Sequence, residues 1–194
     1  ISCIEDLPAG WGDEQEAGSY RLVKRTDESL FGYFVGPQSW KKFLFPQRMK
    51  LWEAGREGRG FTIKHSEEPV PKYAFLGVRS CELKAIFIQD KVFNNDMYTD
   101  NYYNNVRNNI FIISVNCTQA ASTCFCVSMK SGPKAKDGFD ISLTEVINKD
   151  DHYFVLDDSS EKGKELTAKL EAETATDEQV KAADIRIAAA ELGM

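Results

Sequence analysis

Two apolar hexapeptides, Tyr73–Val78 (YAFLGV) and Ile110–Val115 (IFIISV), limit what this chain can fold into more than any other feature. Neither run alternates polar with apolar, so each suits a strand covered on both faces, as parallel strands are. Between them, Ser80 is placed to cap a helix that carries Leu83, Ile86 and Phe87 at helical spacing and continues toward Phe93. The Asn- and Tyr-rich stretch 94–109 reads as part loop, part short helix. Strand, helix and strand in this order make a βαβ unit with a right-handed crossover.

The remaining segments are read around that unit. Residues 1–18 form a Gly-, Pro- and acid-rich lead-in, and 20–24 and 30–35 are strands joined through the turn-prone residues 26–28. Residues 39–44 make one helical turn before Pro46, and 48–52 alternate as a half-buried strand does. The run 55–60 (GREGRG) is a flexible loop leading to a short strand at 61–64. Further on, 139–146 and 152–156 are strands, while 159–172 and 176–192 are helices. The last helix opens on Thr176 with Glu178 and Gln179 and sets Val180, Ala183, Ile187 and Ala190 on one face.

The expected fold is therefore mixed α/β (α+β): a mixed sheet with a central βαβ unit and C-terminal helices. Residues 1–172 make one α/β domain, β-rich over 19–65, and 173–194 a helical linker.

Of the 194 residues, 42% are hydrophobic and 28% charged, which is ordinary globular composition. No apolar run approaches the roughly 20 residues that span a bilayer, so no membrane partner is expected. No secretory leader is visible, and Ile1 in place of Met marks a processed or excised piece. The net charge is −6, and the basic clusters at Lys41-Lys42 and 134–136 are short and diluted by carboxylates. A phosphate-neutralising stripe is missing, which argues against a nucleic-acid partner.

The five cysteines carry the chemistry. An odd number does not suit a fully paired disulfide scaffold, and a chain of this length can build a core without staples. Reduced thiols in a cytoplasmic setting more often ligate metal or do redox work. Cys81 lies just past the first buried strand and Cys117 just past the second, so parallel strands deliver both to one carboxyl edge, where open α/β sheets place their sites. Cys124 and Cys126 follow on the next loop. In extended chain, residues two apart face the same way, leaving Phe125 to shield the site or pack inward.

Four thiolates around one point suit an iron–sulfur cluster or a zinc ion. Structural zinc sites usually draw two C-x2-4-C knuckles, and none occurs here. A cubane cluster is wider and tolerates ligands from separate loops. Four buried, reduced cysteines are the third reading that this spacing leaves open. Cys3 stands apart in the lead-in as an exposed bystander.

The residues around these cysteines resemble a known family. Gly77-Val78-Arg79-Ser80-Cys81-Glu82-Leu83-Lys84-Ala85-Ile86 is similar to the GVR-x-C-[DE]-L-x-A-I signature of the β subunits of anaerobic sulfite reductase and cytoplasmic sulfhydrogenase. Asn116-Cys117, then Cys124-Phe125-Cys126-Val127-Ser128-Met129 and Gly132-Pro133, resembles that family's NC…CFC-x-SM…GP element. Gly138-Phe139-Asp140 with Leu143-Thr144 resembles its GFDL-x-LT continuation, and Phe45-Pro46 an upstream FP.

The resemblance covers roughly residues 40–165. It implies that Cys81, Cys117, Cys124 and Cys126 ligate one [4Fe–4S] cluster. It also implies a non-catalytic electron-transfer subunit of an oxidoreductase complex, relaying electrons between a flavin/NAD(P)H subunit and a sulfite- or sulfur-reducing or hydrogenase catalytic subunit. Most members continue into a ferredoxin-like domain with C-x2-C-x2-C-x3-C runs. This chain has no such run, so it resembles the N-terminal part, with 173–194 leading toward that domain.

Two positions depart from the family pattern. Asn104-Asn105-Val106-Arg107 stands where paired arginines usually follow the Tyr, and Lys130 stands where Gly is common after SM.

Other motifs are weaker. His65 and His152 read as solvated strand residues, and no G-x-S-x-G, Walker A or G-x-G-x-x-G sequence occurs. Arg79, two residues before Cys81, is expected either to set a positive charge beside the cluster or to pair with a carboxylate. Tyr98, Tyr102 and Tyr103 are expected to pack over the sheet or form a docking surface.

Overall fold

A computed structural model describes residues 1–34, 39–65, 69–149 and 151–194. In chain order the elements are β1 (Trp11–Glu16), β2 (Ser19–Lys24), α1 (Lys41–Leu44), β3 (Trp52–Glu57), β4 (Gly60–His65), β5 (Tyr73–Val78), α2 (Ser80–Phe93), β6 (Asn94–Asn95) and β7 (Tyr98–Thr99). They continue with α3 (Asn101–Asn108), β8 (Ile110–Val115), β9 (Ile141–Ile147), β10 (His152–Asp158), α4 (Glu161–Thr167) and α5 (Asp177–Leu192).

The two apolar hexapeptides pair with each other in parallel, Tyr73 opposite Ile110 and Phe75 opposite Ile112. β9 adds in parallel to β8, with Ile113 opposite Ile141, and β10 returns antiparallel on β9. The order β10-β9-β8-β5 is a mixed four-stranded sheet, and the fold class is mixed α/β as the hydrophobic pattern requires.

Leu83 and Ile86 of α2, Tyr103 and Val106 of α3, and Phe75, Val78, Ile110 and Ile112 of the sheet bury one contiguous core. Full burial of side chains of this size stabilises by about 1.5–3 kcal/mol each. Aromatic rings extend the core outward: Phe93 stacks on Phe45 at 4.6 Å and on Tyr103 at 4.8 Å, and Trp40 lies 4.7 Å from Phe75. Tyr103 is fully buried, with its hydroxyl donating to Asp90 at 2.7 Å, whereas Tyr98 is exposed and Tyr102 half-buried against the core. Arg107 of α3 binds Asp90 of α2 and so holds the two helices together. α5 packs on β9 and β10 with Ala183, Ile187 and Ala190 buried; Val180 of the expected face is exposed.

Helix starts follow local chemistry. At α5 the Thr176 hydroxyl accepts from Gln179 N and the Gln179 side chain accepts from Thr176 N, a complete capping box. At α2 the capping position belongs to Arg79 rather than Ser80. Glu82 Oε2 accepts the Arg79 N–H at 2.8 Å, and Ser80, the first helical residue, sends its hydroxyl to Pro133 O.

Several local expectations change. The lead-in contains β1, which pairs with β2 from Trp11 opposite Lys24 to Glu16 opposite Ser19. Residues 30–34 form no strand. Their place is taken by irregular chain whose N–H groups at Leu30 and Phe31 donate to the buried Glu145 carboxylate, and Val35 lies outside the described residues. GREGRG is no flexible loop: β3 runs through Glu57, turns at Gly58 (φ +60°) and returns as β4. The strand expected at 48–52 begins only at Trp52. α4 ends at Thr167, several residues before the expected 172.

Candidate metal centre

The β5–β8 pair sets the geometry of the cysteines. Because the two strands run parallel, the chain leaves both at the same edge, into Cys81 near the start of α2 and into Cys117 beyond β8. Gly77 lies at the irregularity between Leu76 and Val78 with φ +92°, a left-handed conformation that favours glycine; a Cβ there would also press on the Phe31 ring at 3.4 Å.

Cys124 and Cys126 come from the connection between β8 and β9, residues 116–140, which has no helix or strand. Parallel neighbours are usually joined through a helix, so this crossover is unusual and must be held by other means. Asn116 is central to that. It is 2% exposed, its amide nitrogen donates to Ser142 Oγ and Thr144 Oγ1, and its amide oxygen accepts the Ala135 N–H at 2.8 Å. Gln119 accepts from Arg25 at 2.5 Å and donates to Gly32 O, and Ser122 and Thr123 bond Gln15 of β1. The N-terminal hairpin thus buttresses the loop.

Close to the thiols, Ser131 N donates to Cys126 O at 2.9 Å and Cys117 N to Pro133 O at 3.3 Å. A Cβ on Gly132 would collide with Ser80 Oγ and stand 3.0 Å from Cys126 Sγ, so only glycine fits. Lys130 adopts φ +53°, which explains physically why glycine suits this position. Cys126 Sγ lies 3.3 Å from Met194 Sδ, beyond the end of α5.

Cys117 and Cys126 are buried, Cys124 is half-buried, and Cys81 reaches the surface; Cys3 is exposed and separate from them. Burial, and after it the neighbouring Cys117, Glu82 and Cys124, pushes the Cys81 thiol up to about 11. Burial also raises Cys117, against which the Arg79 charge acts, and Cys126, which feels Cys81 and Cys124. Each of the six pairs among Cys81, Cys117, Cys124 and Cys126 is therefore within electrostatic reach.

Among the described residues, no three His, Cys, Asp or Glu side chains stand close enough to hold a single metal ion. Thiols that burial keeps neutral, as at Cys81, Cys117 and Cys126, are deprotonated when a metal group binds them.

Arg79 is buried, with its guanidinium donating to the carbonyls of Phe31, Tyr33 and Asn116 and lying 5.2 Å from the Phe34 ring. It forms no salt bridge with a carboxylate among the described residues. Phe125 neither shields the thiols nor enters the core; it is 68% exposed. His152 Nε2 lies 2.9 Å from Glu145 Oε1, which accepts its hydrogen bond, and Glu145 also accepts from Ser29 Oγ. The sequence reading missed Glu145 and the bonding of Asn116. Asn116 directly follows the apolar strand β8, and that position was the available signal; Glu145 sits in β9 (ISLTEVI) beside Thr144 and carries no such mark.

Fold and thiols together define a mixed α/β domain with Cys81 and Cys117 at the carboxyl edge of a partly parallel sheet and Cys124 and Cys126 on the loop that follows. Comparison with curated proteins finds the β subunit of sulfhydrogenase 2 from Pyrococcus furiosus, 40% identical over 149 residues, 74% of this chain. Over that span the chain belongs to the sulfhydrogenase β-subunit family. It covers 41% of the relative's length. No family model matches the sequence, and no solved structure matches it either. Among the described residues no helix is long and apolar enough to cross a membrane.

Proposed function

We propose that this chain is an electron-transfer domain of a multi-subunit oxidoreductase and that Cys81, Cys117, Cys124 and Cys126 hold one [4Fe–4S] cluster. The observation that carries the reading is that the parallel β5–β8 pair delivers Cys81 and Cys117 to one sheet edge, where the loop bearing Cys124 and Cys126 folds back on Ser80. When bound, the cluster supplies one-electron redox chemistry; the domain performs no bond chemistry of its own.

The residues around the thiols have definable tasks. The first turn of α2 presents backbone N–H groups beside Cys81, which favour anionic sulfur. Arg79, locked by three carbonyls, keeps a fixed positive charge near Cys117, which favours added negative charge and raises the potential. Buried Cys117 and Cys126 limit water on one side, while exposed Cys81 leaves a short path to the surface.

The family resemblance and the relative's name support a place in a cytoplasmic complex, between a flavin/NAD(P)H subunit and a sulfite- or sulfur-reducing or hydrogenase catalytic subunit. They support, too, a role for residues 173–194 in leading toward a ferredoxin-like domain.

The test is anaerobic purification followed by iron and sulfide analysis and electron paramagnetic resonance of the reduced chain. Four irons and four sulfides per chain are expected, with each Cys→Ser change lowering them. A colourless, iron-free chain, or stoichiometric zinc, would favour the rival reading of a non-redox interaction module.

A further inference from the structure

We infer that the cleft between α2 and the cysteine loop is the docking face for an acidic electron-carrier protein. Lys84 and Lys91 from α2 and Lys130, Lys134 and Lys136 from the loop line it, against only Asp90 and Asp137. The chain as a whole has 24 basic and 30 acidic side chains, so this local excess runs opposite to the net charge.

The charges are also available. Asp90 is occupied by Arg107 and Tyr103, and of the five lysines only Lys134 has an ion-pair partner among the described residues, Asp184. All five are exposed. A basic rim of this kind steers an oppositely charged partner and fixes its orientation more than it adds affinity.

Apolar contact is present within the rim. Ile88, which lines the cleft beside Leu83 and Phe87, is 57% exposed. Ser80 and Ser131 form the wall of the cleft nearest the cysteines: Ser80 precedes Cys81, and Ser131 bonds the Cys126 carbonyl. A partner seated here touches Ser80, the chain neighbour of Cys81, and Ser131, the partner of the Cys126 carbonyl. RNA is also anionic, but a strongly acidic chain with one short basic cleft repels a long polyanion beyond the patch.

The inference rests on the cluster reading for its redox step. One electron leaves the reduced carrier and enters the oxidised cluster, with no bond made or broken.

The experiment uses the cluster-loaded full chain and a plant-type [2Fe–2S] ferredoxin as the acidic probe. Binding at low salt is expected to weaken by about tenfold or more in a K84E/K91E/K136E variant, and similarly in the parent at high salt. Reduction by ferredoxin should fall in parallel while reduction by dithionite stays unchanged. K162E/K169E, outside the cleft, should bind as the parent does. Lysine-independent binding in an iron-containing chain overturns the docking face alone, as does tighter binding of an RNA oligomer. Lysine-dependent binding in a chain that never takes up iron supports the docking face and overturns only the cluster reading.

Discussion

Removing the Asn116 side chain should loosen the cysteine loop more than any other single polar change near it. In Asn116→Ala the buried Ala135 N–H loses its acceptor, which costs about 1–3 kcal/mol when no water replaces it. Ser142 Oγ and Thr144 Oγ1 each lose a donor, at about 0.5 kcal/mol apiece because hydroxyls rotate to other partners. The expected loss is about 3 kcal/mol, which at a urea slope near 2 kcal/mol/M lowers the midpoint by about 1.5 M. The assay is urea unfolding of the iron-free, reduced chain, where ligation does not complicate a two-state analysis. Thr144→Ala removes one acceptor and leaves Ala135 satisfied, so it should cost about 1 kcal/mol. A midpoint shift below about 0.3 M in Asn116→Ala, or equal losses in the two variants, refutes the assignment of Asn116 as the tie between loop and sheet.

Three further outcomes are expected. Lys130→Gly relieves a left-handed residue and should stabilise by about 0.5–1 kcal/mol in the same assay, the gain being reduced by glycine's unfolded-state entropy. Glu145→Gln replaces a buried carboxylate that accepts from Ser29, Leu30, Phe31 and His152 with an amide whose NH2 opposes donors; a loss of about 2–4 kcal/mol and increased proteolysis near residues 29–31 should follow. Asp27 is held below its ordinary 3.8 first by the hydrogen bond from Arg25, so its contribution is complete above that value and disappears as pH falls through the lowered folded value. Asp27→Asn should therefore lower the urea midpoint at pH 7 and narrow the gap to the parent below pH 3.8.

What could be read from the residues was whatever hydrophobic burial dictates locally. β5 and β8 show their burial as apolar runs, although one face of each is only partly covered and Ala74 of the edge strand β5 is exposed; α5 shows its buried face at Ala183, Ile187 and Ala190. β1 was invisible because a two-stranded ribbon with the sequence WGDEQE buries almost nothing and has no alternation to display. Residues 30–34 have strand-like composition because they pack on the sheet, but their N–H groups go to Glu145 instead of a ladder, a partner more than a hundred positions away. The parallel pairing of β9 with β8 was equally hidden, since apolar runs do not encode which neighbour a strand selects. At the candidate centre, chain order placed Cys81 and Cys117 at neighbouring strand ends. The hydrogen bonds that fix the loop at 116–140 depend on Asn116, Gln119 and Arg25, whose partners are far apart in sequence.

The crossover from β8 to β9 ties these observations together. A helix there would cover the sheet edge and satisfy its own backbone, and it would also separate Cys117 from Cys124 along a rigid axis. Residues 116–140 instead double back, so that Pro133 meets both Cys117 N and Ser80 Oγ, and Ser131 meets Cys126 O. This return path brings the loop that carries Cys124 and Cys126 back against the start of helix α2, and its outer side presents Lys130, Lys134 and Lys136 opposite Lys84 and Lys91. The same absent helix therefore shapes both the proposed thiol site and the basic cleft beside it. The loop's ordering, its thiols and its lysines should respond together. Asn116→Ala, which touches no lysine and no thiol, should weaken ferredoxin binding as well as iron retention. If binding is unchanged while iron is lost, thiol site and cleft are independent, and this account of the crossover is wrong.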